Sequence, residues 1–430
     1  MSDQKKYTFS VAVTLVIANM VGTGVFTSLG YQVGPIPSGF PFLLLWAVGG
    51  VVSLCGAFVY AELATTLKRS GGEYLFLSKV FHPVLGFLSG WTSMLVGFAG
   101  AVSAVAIAIG YYSADLTGLP VNVTAVTAIL VVSFVHWFGV KTGGRFQNLM
   151  TTIKLSLIVV FCLAPFFLVG HPSGTVLVPK AGDLDIILSS GWAVSLVFVV
   201  YAYSGWNASA YIAGNLENAE KNLPRSLVLG TLVVTIVYLC LNTMFLYSAP
   251  MAELEGQNDV GNVVAMRLFG PAIGTFFSAL FSFALLSTLS AMTIAGPRVM
   301  EAIGEDFPLL KNFARRNRYD MPYLAILFQA AWSIALVLIS SFKEIIQYIS
   351  LSLSIFTLLT VVGIFVLRKR VPASERPFKT PLFPLTPIIF IATTAWMIFY
   401  VVTNDPKILA YAVGTQVPGL ILYFAAAKKK

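Results

Sequence analysis

Apolar residues in this chain run in long unbroken stretches, not in the one-face repeat of a soluble helix or the alternation of a half-buried strand. The stretches are about 20 residues or longer, the length an α-helix needs to cross roughly 30 Å of hydrocarbon. Twelve spans are expected, near 10–36, 41–66, 83–112, 122–139, 146–169, 189–216, 224–249, 270–300, 321–339, 344–367, 383–402 and 407–427. Polar and charged residues gather in the links between them, so the pattern predicts an all-α membrane protein with no separate soluble domain. Two spans are interrupted: Val21-Gly22-Thr23-Gly24-Val25 breaks the first, and Tyr203-Ser204-Gly205-Trp206-Asn207 breaks the sixth. Lipid cannot satisfy the backbone groups that a break exposes, so a break persists only where protein buries it or it lines a cavity.

Composition and charge sharpen this picture. Of 430 residues, 57% are hydrophobic and 10% charged, and the mean hydropathy of +0.84 lies outside the soluble range. The polar start Met1–Lys6 precedes a run too long for a signal-peptide core and without an A-x-A cleavage site, so the run reads as a retained helix. The net charge of +9 is a topology signal. With both termini cytoplasmic, the outer segments hold Lys180, Arg267, Lys343 and Lys407, Lys154 lies within a span, and every other lysine and arginine falls inside. Basic residues scattered over many short loops do not make a nucleic-acid surface. Cys55, Cys162 and Cys240 lie in apolar spans and read as small buried hydrophobes.

The first five spans and the next five read as two units, about 10–169 and 189–367, followed by two appended helices at about 383–427. An odd number of spans per unit makes the units opposite in membrane orientation. A matched pair of interrupted spans then marks a substrate site between them near the midplane. No residue-level repeat is visible beyond the two breaks. Between spans, Lys68–Tyr74 reads as a turn-rich link, and 301–320 as a short amphipathic helix at the interface.

A helix ending at Gly22 leaves the carbonyls of about Ile17–Met20 unpaired, and one resuming after Gly24 leaves its first N–H groups unpaired. Carbonyls suit an ammonium group; N–H groups at a positive helix end suit a carboxylate. Carbonyls near Tyr201, Ala202, Tyr203 and Ser204 add to the set. Together they match an α-amino acid zwitterion, held at Ile17, Val21, Gly22, Thr23 and Gly24 on one side and at Tyr201, Ala202, Ser204, Gly205, Trp206 and Asn207 on the other. The same glycines also suit close helix packing. Tyr201, Tyr203 and Trp206 read as a gate or pocket wall, or else as packing or an interfacial belt, and Asn207 is expected to pin the break by hydrogen bonds. Ser287, Thr288 and Ser290 either face the cavity or bond their own backbone.

Lys154 is the ionisable side chain placed deep in a span, about nine residues and roughly 13 Å of helical rise beyond Arg145. Either it snorkels to the interface, or its ammonium sits against the carbonyls of a broken helix. The spans carry no carboxylate at mid-membrane, and Glu62 lies close to the cytoplasmic end of the second; this favours neutral over dibasic substrates. His82, His136 and His171 lie near span ends with no metal or triad spacing, so no metal, cofactor or enzyme chemistry is expected. A channel would call for polar rings instead of two isolated breaks.

Three motifs resemble the amino acid–polyamine–organocation transporters, and within them the L-amino acid transporter type. They are Val21-Gly-Thr-Gly-Val-Phe26; Tyr60-Ala-Glu-Leu with Ser70-Gly-Gly-Glu-Tyr74; and Ala202-Tyr-Ser-Gly-Trp-Asn207 followed by Glu217-Asn-Ala-Glu-Lys-Asn-Leu-Pro-Arg225. The resemblance covers essentially the whole chain. It implies a 5+5 inverted-repeat fold of the leucine-transporter kind plus two helices, with spans one and six discontinuous. It implies sodium-independent transport of neutral L-amino acids across the plasma membrane by alternating access, most simply as an exchanger. A proton-coupled symporter, or a carrier of cationic amino acids or polyamines, is the alternative. Lys154 falls at the fifth-span lysine found in many members, where sodium-coupled relatives hold an ion. Tyr201 falls where the family has a gating aromatic, commonly phenylalanine. Animal members join a heavy chain through a cysteine between spans three and four. Ser113–Val121 has none, so no disulfide-linked partner is expected, and the carrier is expected to be a monomer.

Overall fold

The computed structural model describes residues 7–69, 71–138, 152–154, 156–160, 162–163, 167, 173–319 and 321–427. Eight helices among them are long and apolar enough to cross a membrane, and three shorter apolar helices accompany them at Val121–Trp137, Ser190–Tyr203 and Tyr323–Ile339. Among the described residues there is no strand, only one isolated bridge between Tyr7 and Leu216. The expected fifth span falls largely outside the described residues, apart from short pieces that include Lys154. The surface is that of a membrane protein. Large apolar side chains such as Phe167, Ile339, Phe134 and Phe424 face outward, where a soluble helix would present polar residues.

The first expected span resolves into α1 (Phe9–Met20), α2 (Thr23–Thr27) and a further turn, Leu29–Val33. The Thr8 hydroxyl accepts from the Val11 N–H at 3.5 Å and starts α1. The second span is α3 (Gly39–Leu67), which ends where Lys68 adopts a left-handed φ of 53°. The link after it is not a plain turn. Gly71 and Gly72 take φ of 139° and 53°, and α4 (Gly72–Val80) follows at once. The third span runs from Pro83 to Thr117, with a π-helical turn at Ser93–Phe98 inside it. Such turns widen a helix locally and recur beside functional cavities.

The sixth span resolves into α5 (Ser190–Tyr203) and a 3₁₀ helix, Ala208–Asn215. The seventh is α6 (Ala219–Ser248). The eighth, α7 (Val260–Asp306), begins earlier than expected and bends at Gly270, whose φ is 77° and which precedes Pro271. It also runs further than expected. The helix continues to Asp306, and a 3₁₀ turn, Pro308–Ala314, replaces the separate amphipathic helix. The tenth is α8 (Phe342–Arg370), opened by a Ser341/Glu344 capping box. The core packs α7 on the third span, α6 on α3, and α1 on α6, so both interrupted segments lie inside the bundle.

Candidate substrate site at two broken helices

The first break is a single extended step. Val21 leaves α1 at φ −74°, ψ 96°, Gly22 is extended at φ −139°, and Thr23 starts α2. Its carbonyls are more fully used than the sequence suggests. Ile17 O accepts the Val21 N–H at 3.0 Å, so it is not a free acceptor. Met20 O accepts from the Tyr238 hydroxyl at 2.6 Å. Val21 O accepts from Lys154 Nζ at 2.6 Å, and the same ammonium reaches Thr288 Oγ1 at 3.4 Å and Ala18 O at 3.5 Å. Three N–H donors thus meet three oxygens, and Lys154 is 1% exposed, which excludes a snorkelling side chain.

The second break is made by the chain itself. Ser204 N–H bonds Tyr201 O at 3.0 Å, Gly205 takes φ +97°, and Ala208 N–H bonds Gly205 O at 3.0 Å. Only glycine adopts that φ without strain, and a Cβ there would also stand 2.9 Å from the Asn19 Cβ.

The two breaks meet. A Cβ on Gly24 would lie 2.4 Å from the Ala202 Cα, so glycine here serves direct packing of one broken segment on the other. The Thr23 and Tyr201 hydroxyls are 3.0 Å apart. Tyr238, on α6, reaches Met20 O at 2.6 Å and Ala202 O at 2.9 Å, touching both breaks with one hydroxyl. A single O–H donates to one acceptor at a time, so this group is shared between the segments.

Beside this junction lies a cavity of about 560 Å³, lined on one side by Tyr201, Ser204, Gly205, Trp206 and Asn207 and elsewhere by the π-helical turn of the third span. A smaller space at the junction is bounded by Gly22, Thr23, Gly24, Ala202 and Thr288. Of the three expected hydroxyls, Thr288 therefore faces the junction. Ser290 instead pairs with the buried His136 ring at 2.8 Å, and Ser287 lines neither space. Tyr203 also turns away: its hydroxyl donates to Trp46 O at 3.1 Å, and its ring packs on Trp46 and Tyr238. Trp206 stacks edge-on to Tyr60 and Phe390 while bordering the cavity. Asn207 donates to Glu73 Oε1 at 2.6 Å.

Glu73 and Tyr238 are the residues that sequence reasoning missed. Glu73 stands in an apparent loop, yet it is 5% exposed and lines the cavity. The sequence argument considered carboxylates within the spans, and Glu73 reaches the cavity from the link after the second one. The available signals were Gly71-Gly72 directly before it, which marks a chain reversal, and its place in the Ser70-Gly-Gly-Glu-Tyr74 motif. Tyr238 carries no signal, since one tyrosine in an apolar run reads as packing.

A bundle of apolar helices with two broken segments around a central cavity defines a membrane carrier. The sequence comparisons agree. The amino acid permease family model matches residues 7–426. The serine/threonine exchanger SteT of Bacillus subtilis (strain 168) is 28% identical over 427 residues, covering 97% of this chain and 96% of that protein. The b(0,+)-type amino acid transporter 1 of Mus musculus is 27% identical, covering 98% and 88%. The human cystine/glutamate transporter is 26% identical, covering 99% and 86%. The chain belongs to the amino acid permease family, in the amino acid–polyamine–organocation superfamily, and is a transporter and not an enzyme.

Proposed function

We propose that this protein is a sodium-independent exchanger of neutral L-amino acids, working by alternating access. The observation that carries this is the junction itself: two broken segments in direct contact beside a cavity, with an ammonium already bound to the Val21 carbonyl. Backbone N–H groups in the first turn of α2, at Thr23 and Gly24, would receive the substrate carboxylate. The remaining lone pairs of the Tyr201–Ser204 carbonyls, of which Tyr201, Ala202 and Tyr203 each already accept one donor, would receive its ammonium, and Tyr201 and Trp206 would wall the side chain. Lys154 takes the place of a bound cation at the first break, so no sodium is needed there. Exchange is supported by one relative, the serine/threonine exchanger of Bacillus subtilis.

The same reading includes twelve helices in two inverted units, about 10–169 and 189–367, with two appended. The eight long and three short helices, together with the segment around Lys154, support that count. It also includes cytoplasmic termini, insertion in the plasma membrane, and a monomer without a disulfide-linked heavy chain. Glu73 in the cavity wall is the observation that favours the runner-up, a carrier of cationic amino acids.

Reconstitution in proteoliposomes tests these together. Labelled L-alanine, L-serine or L-leucine is expected to exchange against internal substrate at equal rates in sodium and in choline, with L-lysine competing weakly. Strict sodium dependence, or preferred exchange of L-lysine, overturns the reading.

A further inference from the structure

Two of the buried carboxylates, Glu62 on α3 and Glu73 on α4, are compensated very differently. Glu62 is fully buried and receives Arg368 through Nε and Nη2 at 2.9 and 2.7 Å, Arg376 Nη1 at 2.6 Å, and the Thr380 N–H at 2.7 Å. Glu73 receives the Tyr60 hydroxyl at 2.9 Å and Asn207 Nδ2 at 2.6 Å on one oxygen, and the Tyr211 hydroxyl on the other. All three are neutral donors. No lysine, arginine or histidine nitrogen among the described residues is within ion-pairing distance of Glu73. Arg298, the guanidinium in the same cavity wall, is engaged with Glu301 at 2.8 Å. Glu73 lies in the first turn of α4, whose helix dipole offsets part of one charge.

A buried carboxylate without a counter-ion is costly, and a carboxylate has room for about four donors. Three positions are filled, and the residue lines the cavity beside the junction of the breaks. The approach is built in. A Cβ on Gly72 would lie 2.3 Å from the Tyr211 ring, so only glycine lets that ring settle and bring its hydroxyl to Glu73.

We propose that the Glu73 carboxylate is the ammonium-binding group of a second amino acid subsite in this cavity, separate from the junction of the breaks and occupied by substrate in transit. The proposal rests on the carrier reading above. It differs from a purely structural role for Glu73 in the sign of two substitutions. Glu73→Gln keeps the size and most hydrogen bonds but removes the charge; Tyr211→Phe keeps the charge and removes one neutral donor.

The test is equilibrium binding to the purified full-length protein of whichever of tritiated L-alanine, L-serine and L-leucine the wild type exchanges fastest in proteoliposomes. Two binding events are expected in the wild type. Glu73→Gln is expected to weaken one of them about tenfold or more and leave the other in place. Tyr211→Phe is expected to tighten the same event by about threefold, because its carboxylate is less compensated. A single event in the wild type, or two that survive Glu73→Gln within about twofold, overturns the subsite. Should Glu73→Gln fail to fold, Tyr211→Phe decides: unchanged or weaker binding overturns it. Exchange with only one binding event sinks the subsite alone, whereas absence of exchange for all three amino acids sinks the neutral carrier.

Discussion

The two broken helices look alike in sequence but are held open in opposite ways. At the second break, local turns satisfy most of the backbone: Ser204 N–H to Tyr201 O, Ala208 N–H to Gly205 O, and a φ of +97° at Gly205, while Ala202 O accepts from Tyr238. At the first break, the carbonyls released at Met20 and Val21 find partners only on other helices, Tyr238 and Lys154. A break closed by its own turn is a property of that segment. A break closed by distant side chains is a property of the assembly, and it changes whenever those helices move. The first break therefore depends on the packing of α6 and of the segment that carries Lys154 more than the second does.

This contrast can be broken most directly at Lys154. Lys154→Ala leaves the Val21 carbonyl buried without its donor, a cost of about 1–3 kcal/mol. Exchange is expected to fall by at least about tenfold in proteoliposomes while α5 and the second break stay intact. Full activity of that variant would remove the brace from the mechanism. Gly205→Ala should do comparable harm by a different route, since an alanine at φ +97° is strained by about 1–2 kcal/mol and also meets Asn19. Its signature is a lowered melting temperature together with lost exchange, where Lys154→Ala lowers exchange first.

Tyr238→Phe is expected to have an intermediate effect. Loss of one hydroxyl shared between Met20 and Ala202 should cost about 1 kcal/mol, roughly a fivefold drop in exchange. If it impairs neither exchange nor stability, the two breaks are not coupled through that helix. The smallest effect is expected for the Thr23–Tyr201 hydroxyl pair. A double-mutant cycle of Thr23→Val and Tyr201→Phe should give a coupling of about 0.5–1 kcal/mol in apparent substrate affinity. A value near zero would show that the two hydroxyls act independently.

How far the site was readable depends on the kind of signal each residue carries. Glycines inside an apolar run are conspicuous, so both breaks could be located. A lone lysine in a membrane span is costly enough to point at a partner, so Lys154 could be matched to a broken helix before its contact with Val21 was known. Gly24 carried two readings, close packing and backbone approach to a ligand; the structure shows the first, with Ala202 pressed against it. Tyr203 was counted with the cavity aromatics, yet its hydroxyl points to Trp46. The tyrosines share one local pattern, and only the rotation of α5 in the bundle separates a cavity wall from packing.

The sequence by itself determined that this chain lives in a membrane, how its charges divide between links, where two helices break, and to which family of carriers it belongs. These follow from local chemistry: hydrocarbon excludes unsatisfied backbone and unpaired charge wherever they occur along a chain. Tertiary structure alone decided which groups close the first break. It brought Tyr238 to two carbonyls at once, turned Ser290 towards His136, and carried Glu73 from an apparent loop into the wall of the cavity. Those outcomes depend on distances between residues far apart in the chain, and a hydrogen bond only a few tenths of an ångström too long is already weakened.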